Sequence, residues 1–134
     1  MAEHALSEEE IAQAEGNKMF AVGDVSKSGP AGRLIGNLPG LSDAFDSREV
    51  FIRVWEAGKD DVPSQRHAHQ DTDEVILALK GALEIEIDGE EIYLASGEFL
   101  FKKPGLVSQI VWASNDAQAL IIKAPWLPYD VVPK

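Results

Sequence analysis

The sequence contains no cysteine, which excludes disulfides, zinc–thiolate sites and thiol nucleophiles together. Basic residues are scarce. In 134 residues, 12 Lys and Arg stand against 23 Asp and Glu, a formal net charge of −11. A nucleic-acid partner is therefore not expected, because such a partner needs a basic footprint to neutralise its phosphates. No apolar run approaches the roughly 20 residues of a membrane span, so no membrane partner is expected. The N-terminus lacks the basic-then-apolar order of a secretory signal, and the expectation is a soluble, cytoplasmic protein. No Gly-x-Gly-x-x-Gly or phosphate loop supports a nucleotide cofactor. No Gly-x-Ser-x-Gly elbow supports a serine hydrolase.

The composition that remains, 45% hydrophobic and 26% charged, is that of one globular domain. Five acids (Glu3, Glu8, Glu9, Glu10, Glu15) fall in the first 15 residues, leaving −6 for the rest. Ser7 with Glu10 three residues later has capping-box spacing, and Gly16-Asn17 would stop the helix. Residues 1–17 thus read as an acidic leader with a short helix, and 18–134 as a single domain. Beyond the leader, short apolar runs alternate with turn residues. Candidate strands are Met19 to Val22, Arg33 to Ile35, Val50 to Glu56, Val75 to Lys80, Leu83 to Ile87, Glu91 to Ala95, Phe99 to Lys102, Ser108 to Ala113 and Ala119 to Lys123. Asp88-Gly89 is the clearest hairpin turn. Short strands without interleaved helices predict an all-β sandwich or barrel. Residues 24 to 48 read as an extended loop, and the proline-containing tail from Pro125 to Pro133 as a surface segment.

Two of the three histidines are His67 and His69, a spacing that places both imidazoles on one side of an extended chain. Glu74 follows where an apolar run begins. Two imidazoles and a carboxylate suit Fe, Mn, Ni, Cu or Zn as a divalent ion and leave positions open for water or substrate. The same pair, surrounded by Arg66, Gln70 and Asp71, also fits plain solvated surface.

Gly58, His67-Ala68-His69, Glu74 and Gly81, taken in order, resemble the first signature of the cupin superfamily. Gly97 followed by Pro104-Gly105 reproduces the frame of the second. The resemblance spans about residues 50 to 124. It implies a small double-stranded β-helix (jelly-roll) barrel, usually a homodimer, with a divalent metal inside held here by His67, His69 and Glu74. In similar proteins a further histidine stands three residues after the Pro-Gly. This chain has Ser108 there, a poor ligand because its hydroxyl stays protonated, followed by Gln109 on the opposite face. Two expectations follow. The first is a metal-dependent enzyme acting on a small organic molecule, with dioxygenase, isomerase and lyase chemistry all open and no catalytic residue assigned. The second is a non-catalytic small-ligand-binding or sensing barrel whose metal site is weakened or empty.

Phe51, Arg53 and Trp55 share one face of their strand. If that face lines the barrel, Arg53 and Trp55, with Ser108, would bind a carboxylate-bearing or planar ligand. If not, Arg53 pairs with a surface acid. Ile76, Ala78, Leu83 and Ile85 are candidate interior residues. Trp112, Trp126, Phe99 and Phe101 read as core or interface aromatics, and Lys102-Lys103 as a solvated basic pair before a turn.

Overall fold

Alternation of apolar and polar side chains produces nearly all the regular structure in the computed structural model, which describes residues 20–37, 40–127 and 131–133. Ten strands follow in chain order: β1 (Arg33–Ile35), β2 (Phe51–Glu56), β3 (His67–His69), β4 (Asp73–Lys80), β5 (Ala82–Ile87), β6 (Glu90–Ala95), β7 (Phe99–Lys102), β8 (Ser108–Ala113), β9 (Gln118–Ala124) and β10 (Val131–Pro133). They form two antiparallel five-stranded sheets, ordered β1-β2-β9-β4-β7 and β10-β3-β8-β5-β6. The architecture is the all-β jelly-roll that the sequence predicts. The acidic leader, residues 1–17, lies outside the described residues. Among the described residues no helix is long and apolar enough to cross a membrane.

The inner faces meet over a core of Trp55, Ile76, Ala78, Leu83, Ile85, Leu94, Ile110, Ala119 and Ile121. All four candidate interior residues are among them. In β5, Leu83 and Ile85 turn inward while Glu84 and Glu86 turn away, as period-2 alternation requires. The β5–β6 hairpin closes at Asp88-Gly89 with positive φ at both positions (48° and 87°), the pairing that suits a tight turn. Gly81, between β4 and β5, is fixed by space as well as by its φ of +67°. A Cβ there would run into Ser114 Oγ and lie 2.7 Å from Asp116 Oδ1.

Several expectations are corrected. Phe20 to Val22 form no strand, and Phe20 and Val22 stand exposed; Met19 lies outside the described residues. A strand was not expected at the end of the tail, yet β10 pairs along the whole of β3. Of the two alternatives for Phe99, Phe101 and Trp112, core or interface, the core one is overturned: they are 65%, 49% and 44% exposed. For Trp112 the cause is a register shift. Leu83 pairs with Ala113 and Glu84 with Trp112, but Ile85 pairs with Ile110, so Val111 is the extra residue. Such a bulge breaks the alternation, and Trp112 shares the outward face with Glu84 although it is two residues from buried Ile110. Trp126 stacks on Phe51 with ring centroids 4.4 Å apart.

Candidate metal and ligand site

Strand register assembles the site in two facing rows. In the first sheet, Glu74 of β4 stands opposite Lys102 of β7 on one side and Lys123 of β9 on the other, and Lys123 stands opposite Phe51 of β2. Directly opposed residues on one face are side-chain neighbours, so a carboxylate is flanked by two ammonium groups. In the second sheet, His67 of β3 stands opposite Ser108 of β8, which stands opposite Ile87 of β5. The two rows face each other across a cavity of about 260 Å³. Arg53, Trp55, His67, Glu74, Ser108 and Lys123 line it, with Ile76, Ile85, Ile110 and Ile121 as its apolar wall.

His67 and Glu74 of this lining converge with the buried His69, with ligand-capable atoms all within 4.8 Å of one another. His67 Nε2 lies 3.9 Å from Glu74 Oε1, and His69 Nε2 lies 3.7 Å from Glu74 Oε2. These separations are electrostatic contacts and exceed hydrogen-bond length. Donors about 2.0–2.2 Å from one shared ion would stand roughly 3–3.5 Å apart, so the two His–Glu separations are a few tenths of an ångström too long, and a set spread over as much as 4.8 Å would draw together by roughly 1.3–1.8 Å at its widest to share a divalent metal. His67 Nδ1 lies 3.0 Å from the Gln65 carbonyl. With a metal bound, a proton on Nδ1 donated to that oxygen would leave the Nε2 lone pair for the ion, the second-shell arrangement common to metal-binding imidazoles. Glu74 Oε1 is buried and accepts no well-aligned hydrogen bond. The three residues therefore fit a metal in number and type, and lie near enough to close on one.

Lys102, a solvated residue on the sequence pattern alone, is the main correction at the site. It is 1% exposed, with Nζ 3.0 Å from Glu74 Oε1 and donating to Ser108 Oγ at 2.6 Å. The misreading has a physical cause: β7 turns its phenylalanines outward and its lysine inward, against the usual rule of alternation. Burial by itself would raise the Glu74 pKa. The two imidazoles, then Lys102 and Lys123, outweigh it and hold the carboxyl well below its ordinary range. Lys123 was not singled out by the sequence. Its pKa is lowered, first by burial and then by Arg53 and Lys102, with Glu74 acting in opposition. Its ammonium lies 5.2 Å from the Phe51 ring centroid.

The inward face of β2 carries Arg53 and Trp55. Arg53 lines the cavity and also pairs with Asp60 at 2.8 Å, so the acid partner expected for an outward-facing residue is met by one on the inward face. Its other guanidinium nitrogen donates to the Ala31 carbonyl at 2.9 Å. Trp55 is buried in the core beside it. Ser108 is buried on the cavity face, whereas Gln109 points elsewhere and donates to the Ser64 carbonyl at 2.7 Å. Asp71 and Asp73 are exposed, and neither joins the three ligand-capable residues.

Residues 53–123 match the family model described as the cupin domain. The chain belongs to the cupin family. A cupin protein from Bacteroides fragilis superposes with a TM-score of 0.56 at 29% identity, covering 80% of this chain and 85% of that one. A Klebsiella pneumoniae protein with a double-stranded β-helix domain gives 0.60 at 14% identity, covering 84% and 95%. The DMSP lyase DddQ from Ruegeria pomeroyi gives 0.58 at 20% identity; the match covers 67% of this cupin and 45% of the lyase. No curated protein sequence matches.

Proposed function

We propose that this cupin binds a divalent metal through His67, His69 and Glu74 and acts on a small organic molecule carrying an anionic group. The observation that carries the reading is the convergence of the three donors, with His67 and Glu74 on the wall of a cavity large enough for a small ligand and His69 buried beside them. The positive groups supply the ligand class. Arg53 and Lys123 line the cavity, and among the described residues no carboxylate lies within salt-bridge distance of Lys123. A carboxylate arriving from solvent would meet that ammonium and one side of the Arg53 guanidinium, while its apolar part rested on Ile85, Ile110 and Ile121. Asp60 keeps the guanidinium aimed. The His67 Nδ1 contact with Gln65 holds the imidazole in register. A bound divalent ion supplies Lewis acidity toward a substrate oxygen. Proteins of like fold include a DMSP lyase and a TDP-quinovose 3,4-ketoisomerase, so the barrel accommodates lyase and isomerase chemistry, and this reading assigns neither to the present chain.

A second reading is favoured by one observation, the Lys102 ammonium on Glu74. In it the barrel binds its anionic ligand without a metal and without chemistry. Elemental mass spectrometry separates the two. Protein incubated with Zn(II), Mn(II) or Fe(II) and then desalted should retain near-stoichiometric metal. A His67→Ala/His69→Ala variant should retain none. Equal retention by both would reject the metal reading. For the ligand, Lys123→Met should weaken binding of small carboxylates about tenfold, by calorimetry, and leave their neutral amides unaffected.

A further inference from the structure

The residue that departs from the family resemblance, Ser108, is also the residue that anchors Lys102. The ammonium of Lys102 donates to Ser108 Oγ at 2.6 Å and lies 3.0 Å from Glu74 Oε1. The lysine stem rises from β7 directly opposite Glu74. At 1% exposure, the lysine is shut away from solvent. We propose that Lys102 is a tethered cation sharing the Glu74 carboxylate with the metal, so that it sets how tightly the site holds a divalent ion; Ser108 is its docking oxygen. The inference rests on the reading that His67, His69 and Glu74 are the ligands.

The argument is electrostatic and steric. A divalent ion bound at Glu74 Oε1 would sit about 2.0–2.2 Å from that oxygen, and the ammonium already stands 3.0 Å from the same atom. Two cations on one carboxylate oxygen in a buried site repel by several times thermal energy, even with an effective dielectric near 20. The ion also gains less from Glu74 because part of that carboxylate's field is already neutralised. A histidine in place of Ser108 would offer the ion a further donor. Serine with lysine instead offers a fixed positive charge. The same lysine has a complementary role in the metal-free protein. It gives the buried carboxylate a counter-charge, so the three ligand side chains can stay converged without an ion between them. Lys123 also flanks Glu74 in the sheet, but no contact within 4 Å joins their charged atoms among the described residues, so its effect on the ion is the weaker.

The test is calorimetric titration of full-length wild type, Lys102→Met, Lys102→Gln, Lys123→Met and His67→Ala/His69→Ala with Zn(II). Co(II) absorption serves as a second probe, and far-UV circular dichroism verifies folding. Gln keeps a donor for Ser108, so the test does not depend on one substitution being tolerated. Both neutral Lys102 variants are expected to bind Zn(II) at one site at least tenfold more tightly than wild type, and Lys123→Met less than threefold more tightly. Tight binding by the Lys102 variants with none by wild type would also support the proposal while rejecting the metal-loaded wild-type reading. Equal or weaker binding by the Lys102 variants, with binding lost in the double-histidine variant, would overturn the proposal and leave the metal site standing. No saturable binding in any form would overturn both.

Discussion

Lys102 and Glu74 oppose each other across β7 and β4, with Nζ and Oε1 3.0 Å apart and both side chains shut away from solvent. Removing one partner of such a pair leaves the other charged, buried and uncompensated. Truncating Lys102 to Ala should therefore cost the metal-free protein about 3–5 kcal/mol, read as a lower midpoint in urea unfolding. An unchanged midpoint would mean that Glu74 finds its compensation elsewhere.

The depressed Glu74 pKa makes a pH prediction. The folded-state value lies well below the ordinary 4.5, so the unfolded chain takes up this proton first as pH falls. The contribution is fully present at neutral pH. It is lost as the pH drops below about 4.5 toward the folded-state value. Urea midpoints of the metal-free protein should fall over that window more steeply for wild type than for Glu74→Gln. Parallel profiles would reject the assignment.

The outward turn of Trp112 is open to a direct optical test. Trp55 is 2% exposed and Trp112 44%, so acrylamide should quench a red-shifted component of the fluorescence. Trp112→Phe should remove that component and leave stability within about 0.5 kcal/mol. Poor quenching of Trp112 in the folded protein would mean that this face of β8 is covered in solution, as the expected homodimer could do.

Much of this was legible in the sequence, for reasons that differ by residue. Leu83, Ile85, Asp88 and Gly89 follow local rules, alternation and turn conformation, and the structure obeys them. His67, His69 and Glu74 could be grouped because short spacing on extended chain limits where their side chains can go. Lys102 could not. A lysine beside Lys103 and ahead of Pro104-Gly105 resembles every solvated turn, and only the partner strands reveal Glu74 on one side and Ser108 within reach. Nothing local announces the extra residue at Val111, because a bulge is a property of the pairing between two strands. β10 is hidden in the sequence because prolines at 125, 128 and 133 argue against a strand, although an edge position tolerates them.

The place of β10 bears on when the site can exist. β3 carries both imidazoles, yet its register with β8 is a single pair, His67 with Ser108, whereas β10 pairs with it at all three positions. A nascent chain that has emerged only as far as β9 already carries every ligand side chain, but the ribbon bearing two of them lacks its principal brace. Assembly of the centre thus depends on residues 131–133, which would make the two imidazoles among the first groups to loosen when that strand is disturbed.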